Sequence, residues 1–238
     1  MDVAVQLYSL RGLDRPTADL LDLVADTPAS GVEFAGVDDP DAVADALDRT
    51  GLAPVAAHVL IDDPEADLAG VAETYRAIGC ETVVVPWLDA EHFAEPAAVD
   101  AAADRLSRLA DELAAYDLDL AYHNHDQEFT ALADGDAFDR LAAGLDAGLE
   151  LDVGWAVAAG RDPVALLDRH GDAVDLVHLK DVDGDRPCAL GTGDVPLDAC
   201  VDAARAADVE WSIYEHDEPA DPEAALRRDV DRATALLE

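Results

Sequence analysis

Lysine is almost missing from this chain. Lys180 is the only one in 238 residues, and arginine supplies the rest of the 15 basic side chains. Against them stand 54 Asp and Glu, for a formal net charge of -39. Phosphate binding needs basic surface, so a nucleic-acid partner is excluded. The acids are spread over every helix-like segment rather than gathered in a tail, so they are not a disordered appendage. Such a surface suits multimolar salt, where charges are screened over ~3 Å at 1 M. A halophilic source is therefore expected.

Long apolar runs are missing as well. No stretch approaches the ~18 residues needed to span a bilayer. Met1-Asp2-Val3 opens the chain without a basic segment ahead of an apolar one, so a soluble cytoplasmic protein with no membrane partner is expected. Cysteine is scarce too. Cys80, Cys188 and Cys200 show neither paired nor metal-type spacing, which points to buried or incidental thiols. No linker, serine-rich stretch or shift in composition divides the sequence, so residues 1–238 are expected to form one domain.

What is present is a repeated unit. Short aliphatic runs recur at Val3–Leu7, Gly31–Phe34, Ala53–Ala57, Thr82–Val85, Leu118–Ala121, Gly148–Leu151, Val174–Val177 and Trp211–Tyr214. Their spacing of roughly 22 to 36 residues is that of a βα unit. Between them the apolar residues fall at helical spacing, as in Leu20, Leu21, Leu23 and Val24, or Leu106, Leu109 and Leu113. Asp39-Pro40, Asp63-Pro64, Asp162-Pro163 and Asp221-Pro222 each place a capping acceptor before a proline at a helix start. Gly51, Gly79 and Gly171 read as stops. Eight β-then-α units in this length predict an α/β fold, a (β/α)8 TIM barrel. A doubly wound open sheet is the runner-up. Its first turn would often be glycine-rich, whereas Leu10-Arg11-Gly12-Leu13 offers one glycine.

Four of the runs end in chemistry. The fifth breaks into Tyr122-His123-Asn124-His125-Asp126-Gln127, the sixth into Asp152-Val153-Gly154-Trp155, the seventh into His178-Leu179-Lys180-Asp181, the eighth into Glu215-His216-Asp217. A barrel brings strand C-termini to one mouth. His123, Asp152, His178 and Glu215 are thus the expected metal ligands. Mixed nitrogen and oxygen donors suit Mn²⁺, Zn²⁺, Co²⁺ or Fe²⁺, with Mg²⁺ kept open. Lys180 lies two residues beyond His178, so strand alternation points both inward, and a lone ammonium among arginines suggests a donor to a substrate oxygen. His58 ends the third strand and Glu33 lies in the second; both are expected to meet substrate. Tyr8, Trp87 and Trp155 are expected to wall the pocket. Gly191-Thr192-Gly193 follows the seventh strand, where barrels often bind phosphate. Asp194 beside it and few nearby cations, Arg11 and Arg186 being the obvious ones, speak against a phosphorylated substrate.

Together, the 122–129 segment, Leu151–Trp155, His178–Asp181, Gly191–Val195 and the opening Val5–Arg11 resemble the xylose-isomerase-like TIM barrel superfamily. The resemblance runs from the first strand to the eighth and does not choose a substrate. It implies a divalent metal, a small-molecule carbohydrate partner, and metal ligands Glu, Asp, His and Glu from strands five to eight. This chain departs at the first of these, offering His123. In such enzymes two metal-bound carboxylates are thought to move a proton through an enediolate, which the cation stabilises as a Lewis acid. Losing one puts a symmetric two-carboxylate epimerase in doubt. Glu215 is the expected base, with His125 or Glu128 able to supply a second, and Glu128 is also a candidate substrate contact. The resemblance implies a metal-dependent isomerase or epimerase of a sugar, sugar phosphate or cyclitol. The alternatives are a dehydratase of the inosose or 3-dehydroshikimate type and a non-catalytic sugar-binding barrel. An endonuclease IV-like activity is disfavoured by charge. A homo-oligomer stays open.

Overall fold

The computed structural model describes residues 1–133 and 135–238, with the side chains of residues 63, 64 and 66 left outside the description. Eight parallel strands close into a barrel. In chain order they are β1 (Asp2–Gln6), β2 (Gly31–Phe34), β3 (Ala53–His58), β4 (Thr82–Val85), β5 (Asp119–His123), β6 (Gly148–Asp152), β7 (Val174–Leu179) and β8 (Trp211–Tyr214). Each strand pairs with its sequence neighbours, and β8 closes on β1 through Asp2↔Trp211 to Val5↔Tyr214. All eight sequence-read strands are present. Two short antiparallel hairpins, Ala131–Leu132 with Gly135–Asp136 and Asp181–Asp183 with Arg186–Cys188, decorate the loops after β5 and β7.

Helices pack outside the barrel. Asp39, Asp162 and Asp221 each accept a backbone N–H in the first turn of the helix that follows, as the Asp-Pro pairs predict. The Asp63-Pro64 signal lies outside the described side chains. Gly51 and Gly79 take left-handed φ of 74° and 71°, the conformation that makes glycine a stop. Gly171 does not. Its φ is -51°, and a Cβ there would lie 2.8 Å from Ala207 Cβ, so close packing is the constraint.

The barrel interior is two-tiered. Ala4, Ala56, Val84, Ala121, Leu176 and Ile213 form a buried apolar floor. Burial of one such aliphatic side chain contributes about 1.5–3 kcal/mol for the larger ones. Two residues further along, five of these six inward positions turn polar, as Gln6, His58, His123, His178 and Glu215, while Pro86 follows Val84. The helices bury a larger apolar layer against the outer faces of the strands. Charge is thus confined to the upper tier, with a hydrophobic plug beneath it. Among the described residues, no helix is long and apolar enough to cross a membrane. Cys80 and Cys200 are buried, unpaired thiols, each pushed up to about 12 by desolvation, in keeping with the inert thiols expected.

Candidate active site

Six residues of the upper tier are almost fully buried and ionisable: Glu33, His123, Glu150, Asp152, His178 and Glu215. Register places them. His123 pairs with Glu150 across β5–β6, and Asp152 with His178 across β6–β7. His123, Asp152, His178 and Glu215 bring one donor atom each within 4.8 Å of one another. A second such group is His58, His123, Glu150 and His178.

The two groups share two imidazoles through opposite nitrogens. His123 turns Nδ1 inward, 2.8 Å from Glu150 Oε2, and Nε2 outward, 3.8 Å from Asp152 Oδ2. His178 turns Nε2 inward, 2.7 Å from Glu33 Oε2, and Nδ1 outward, 3.2 Å from Glu215 Oε2. His58 Nε2 completes the inner set, 2.8 Å from Glu150 Oε2. Gln6 fixes Glu33 with a 2.7 Å hydrogen bond. A metal held by the outer nitrogens would leave the inner N–H groups donating to carboxylates, the arrangement that sets the tautomer of a ligand histidine.

Asp152 shows how the chain shapes the outer set. Its Oδ1 accepts the N–H of Trp155 at 2.8 Å and caps the short helix Val153–Ala158. Its Oδ2 has no hydrogen-bond partner. Desolvation pushes the carboxyl up to about 6, against the pull of Lys180 and His178. Oδ2 meets the Lys180 ammonium at 3.1 Å, and with imidazole nitrogen and a second carboxylate beside it the donor set fits a divalent first-row cation.

Lys180 is 1 % exposed and ringed by carboxylates: Glu215 Oε2 at 2.8 Å, Asp217 Oδ2 at 2.8 Å and Asp152 Oδ2 at 3.1 Å. Burial alone would lower its pKa, but these three charges raise it instead. Glu215 is pulled the other way: burial works against ionisation and is outweighed by Lys180 and His178. His58 is pushed up to about 10, because Glu33 and Glu150 overcome desolvation. His178 is raised for the same reason. His123 is lowered by burial and by the neighbouring His178 and His58, and His125 falls to about 2, by burial first and then by His123 and Lys180.

Above this tier opens a pocket of about 420 Å³. Tyr8, His58, Leu60, Trp87, His123, His125, Glu215 and Asp217 line it. A larger hollow of about 910 Å³ lies at the opposite end of the barrel, among strand starts and the carboxylates of Glu81, Asp119, Asp172, Asp175, Asp208 and Glu210. It has no histidine and no cation in its wall, so the mouth is the candidate site despite its smaller volume.

The sequence-derived residues divide accordingly. The mouth gathers Tyr8, His58, Trp87, His123, His125 and Glu215 at its wall. Glu33 and Glu128, expected to meet substrate, are turned into the protein instead. Glu33 is consumed by Gln6 and His178. Glu128 accepts from Tyr122 Oη at 2.5 Å and from the His125 N–H at 2.9 Å, bracing the strand-five loop. Trp155 stands behind the pocket wall, its ring 4.7 Å from Lys180 Nζ. Three residues escaped sequence reasoning. Glu150 sits two positions before Asp152 on the same strand face, and that alternation was the available signal. Asn124 Oδ1 accepts the Asp152 N–H at 3.0 Å, fastening the two rims together. Gly154 makes room for Lys180, since a Cβ there would lie 2.8 Å from Lys180 Cγ.

Known proteins share this framework. A solved sugar phosphate isomerase/epimerase from Parabacteroides distasonis superposes with a TM-score of 0.85 at 16% identity, over 100% of this chain and 96% of that one. The IolI protein, solved with a zinc atom, gives 0.82 at 16% identity over 100% and 98%. A "probable 3-DHS dehydratase", AsbF of Bacillus anthracis, gives 0.80 at 12% identity over 98% and 99%. Likenesses at this identity speak for the fold. The rhizopine catabolism protein MocC of Rhizobium meliloti is 38% identical over 93 residues, which are 38% of this chain and 28% of that relative. The sequence profile of the xylose isomerase-like TIM barrel matches residues 21–236. With most of its length matched and its eight strands closed into a barrel, the chain belongs to the xylose isomerase-like TIM barrel family.

Proposed function

We propose that this protein is a metal-dependent isomerase that moves a proton between neighbouring carbons of a small sugar or cyclitol. The observation that carries the reading is Glu215, at the wall of a pocket whose floor offers a mixed nitrogen and oxygen donor set, backed at 2.8 Å by the buried Lys180. His123, Asp152, His178 and Glu215 would hold the ion. Bound there, a divalent cation would supply Lewis acidity toward a substrate oxygen, worth several kcal/mol. The zinc in the IolI structure supports a metal in this fold; the donor set here suits several ions.

Glu215 is held ionised by Lys180, so it stands ready to accept a proton from a carbon beside a carbonyl. Lys180 is held protonated by its three carboxylates and offers a positive charge to an oxygen that becomes anionic. The carboxylates Glu215 and Asp217 belong to the loop directly after β8. The facing wall, four strands round the barrel, carries Pro86 and Trp87 after β4, with His123 and His125 beside them. His125, lowered to about 2, is a weak base near neutral pH. One strong base on one face favours isomerisation, in which a single group takes and returns the proton, over epimerisation, which needs a base on each face. The same base with the Lys180 charge would also serve loss of a β-hydroxyl, so a dehydratase is the second reading.

The test is a panel of ketoses, inosose and 3-dehydroshikimate followed by NMR in D₂O. Deuterium at the carbon beside the carbonyl, without loss of water, is expected. Loss of water would select the lyase. Asp152→Asn should lose bound metal by elemental analysis; turnover surviving that loss would refute the site.

A further inference from the structure

We propose that the substrate is an uncharged polyhydroxy carbonyl compound without a phosphate group, and that Asp181 is the residue that keeps phosphate out. This rests on the mouth being the substrate pocket.

TIM barrels bind phosphate through backbone N–H groups of the loops after strands seven and eight. The loop after β7 does build such a ring of donors, from Val182, Gly191, Gly193 and Val195. All four donate to one internal carboxylate. Val182 and Val195 reach Asp181 Oδ1 at 3.0 Å and 3.2 Å; Gly191 and Gly193 reach Oδ2 at 2.8 Å and 2.9 Å. Asp181 is 1 % exposed. The anion seat is therefore filled by the chain itself, with both oxygens engaged in charge-assisted bonds. The glycines serve this wrapping. A Cβ on Gly193 would lie 2.4 Å from Asp181 Oδ1 and 2.3 Å from the Val182 carbonyl oxygen, so the loop closes on its aspartate only with glycine there.

Lys180, Arg11 and Arg186 are engaged elsewhere. Lys180 faces three carboxylates. The Arg11 guanidinium lies 3.8 Å over the Tyr8 ring and 3.9 Å from Glu218. Arg186 is on the outer hairpin beside Asp185. The pocket wall itself presents Glu215 and Asp217, so a phosphate dianion would arrive among like charges.

An independent observation shows what the mouth does offer. The large hydrophobic side chains exposed among the described residues are Tyr8, Leu60 and Trp87, and all three line this one pocket. A rim of two rings and a leucine above a polar floor suits a molecule with C–H faces and hydroxyl edges.

The experiment uses the metal-loaded chain and two probe pairs: inorganic phosphate against chloride at equal ionic strength, and a ketohexose against its 6-phosphate. Binding is followed by tryptophan fluorescence and turnover by NMR. Wild type should bind the free ketose at least ten-fold more tightly than the ester and ignore inorganic phosphate. Asp181→Ala, with its seat emptied, should melt lower and regain melting temperature selectively with inorganic phosphate. Tighter binding or faster turnover of the ester overturns the proposal, as does a panel in which no uncharged polyol binds. Should Asp181→Ala fail to fold, the wild-type comparison decides. Absence of proton exchange with every sugar sinks the isomerase reading alone, because the binding comparison does not depend on turnover.

Discussion

Replacing Glu150 by Gln removes the negative charge on which three imidazoles converge. Glu150 Oε2 lies 2.8 Å from His123 Nδ1, 2.8 Å from His58 Nε2 and 3.2 Å from His178 Nε2. With the ion in the outer set, Glu150 never touches it; it orients two of its ligands. Losing such a partner costs about 10–100-fold in metal affinity, or about 1.4–2.8 kcal/mol. His58 pairs with Glu33 and Glu150 and stacks on His178 but is no donor of the outer set, so His58→Ala should alter affinity less. Both sets cannot fill at once without each shared imidazole giving up both ring protons. The assay is competition with a fluorescent chelator, paired with thermal melts. Unchanged affinity in Glu150→Gln would refute the orienting role of Glu150, and loss of metal in His58→Ala would move the ion to the inner set. The metal-free variant should also be less stable, since breaking a buried ion pair costs about 3–5 kcal/mol. Its pH dependence follows from His58, raised from 6.5 to about 10 by carboxylates that include Glu150. That stabilisation is fully present below pH 6.5 and is lost as pH rises through about 10. The gap between wild type and variant should therefore narrow from neutral toward alkaline pH.

Gly154→Ala should cost about 1–3 kcal/mol by overpacking and displace Lys180, so turnover should fall more than the melting temperature does; equal activity would mean that Lys180 is not placed by this contact. Asn124→Ala strands the Asp152 N–H, at about 1–3 kcal/mol, visible as a lower melting temperature; an unchanged melt would show that the rim clamp is unnecessary. The net charge of -39 predicts that the melting temperature climbs as NaCl shortens the screening length from ~10 Å at 0.1 M to ~3 Å at 1 M. A flat response would remove the argument for a salt-adapted surface.

Much of this architecture was legible in the sequence because a barrel repeats its grammar. Each strand is an aliphatic run, and three Asp-Pro pairs cap helices. The outer donor set was legible because all four residues sit where such runs end. Depth was not. Glu33 looked like a rim residue, yet it pairs in register with Gln6, in the tier of ionisable side chains below the pocket. Glu128 lies only three residues past His125, and nothing local shows that Tyr122 will capture it. Glu150 was hidden inside Gly148-Leu149-Glu150-Leu151 because a buried strand charge resembles a solvent-facing one until its partners are known. Gly191 and Gly193 have the composition of a phosphate loop; only the fold shows the aspartate they enclose.

Asp152 is held by one oxygen at the first turn of Val153–Ala158 and turns the other toward Lys180 and the imidazole of His123. A carboxylate so pinned has no rotamers left to search. The ordering entropy of that ligand is lost when the chain folds rather than when an ion arrives. Capture of the ion then asks little of Asp152 itself beyond exchanging its Lys180 contact for the cation.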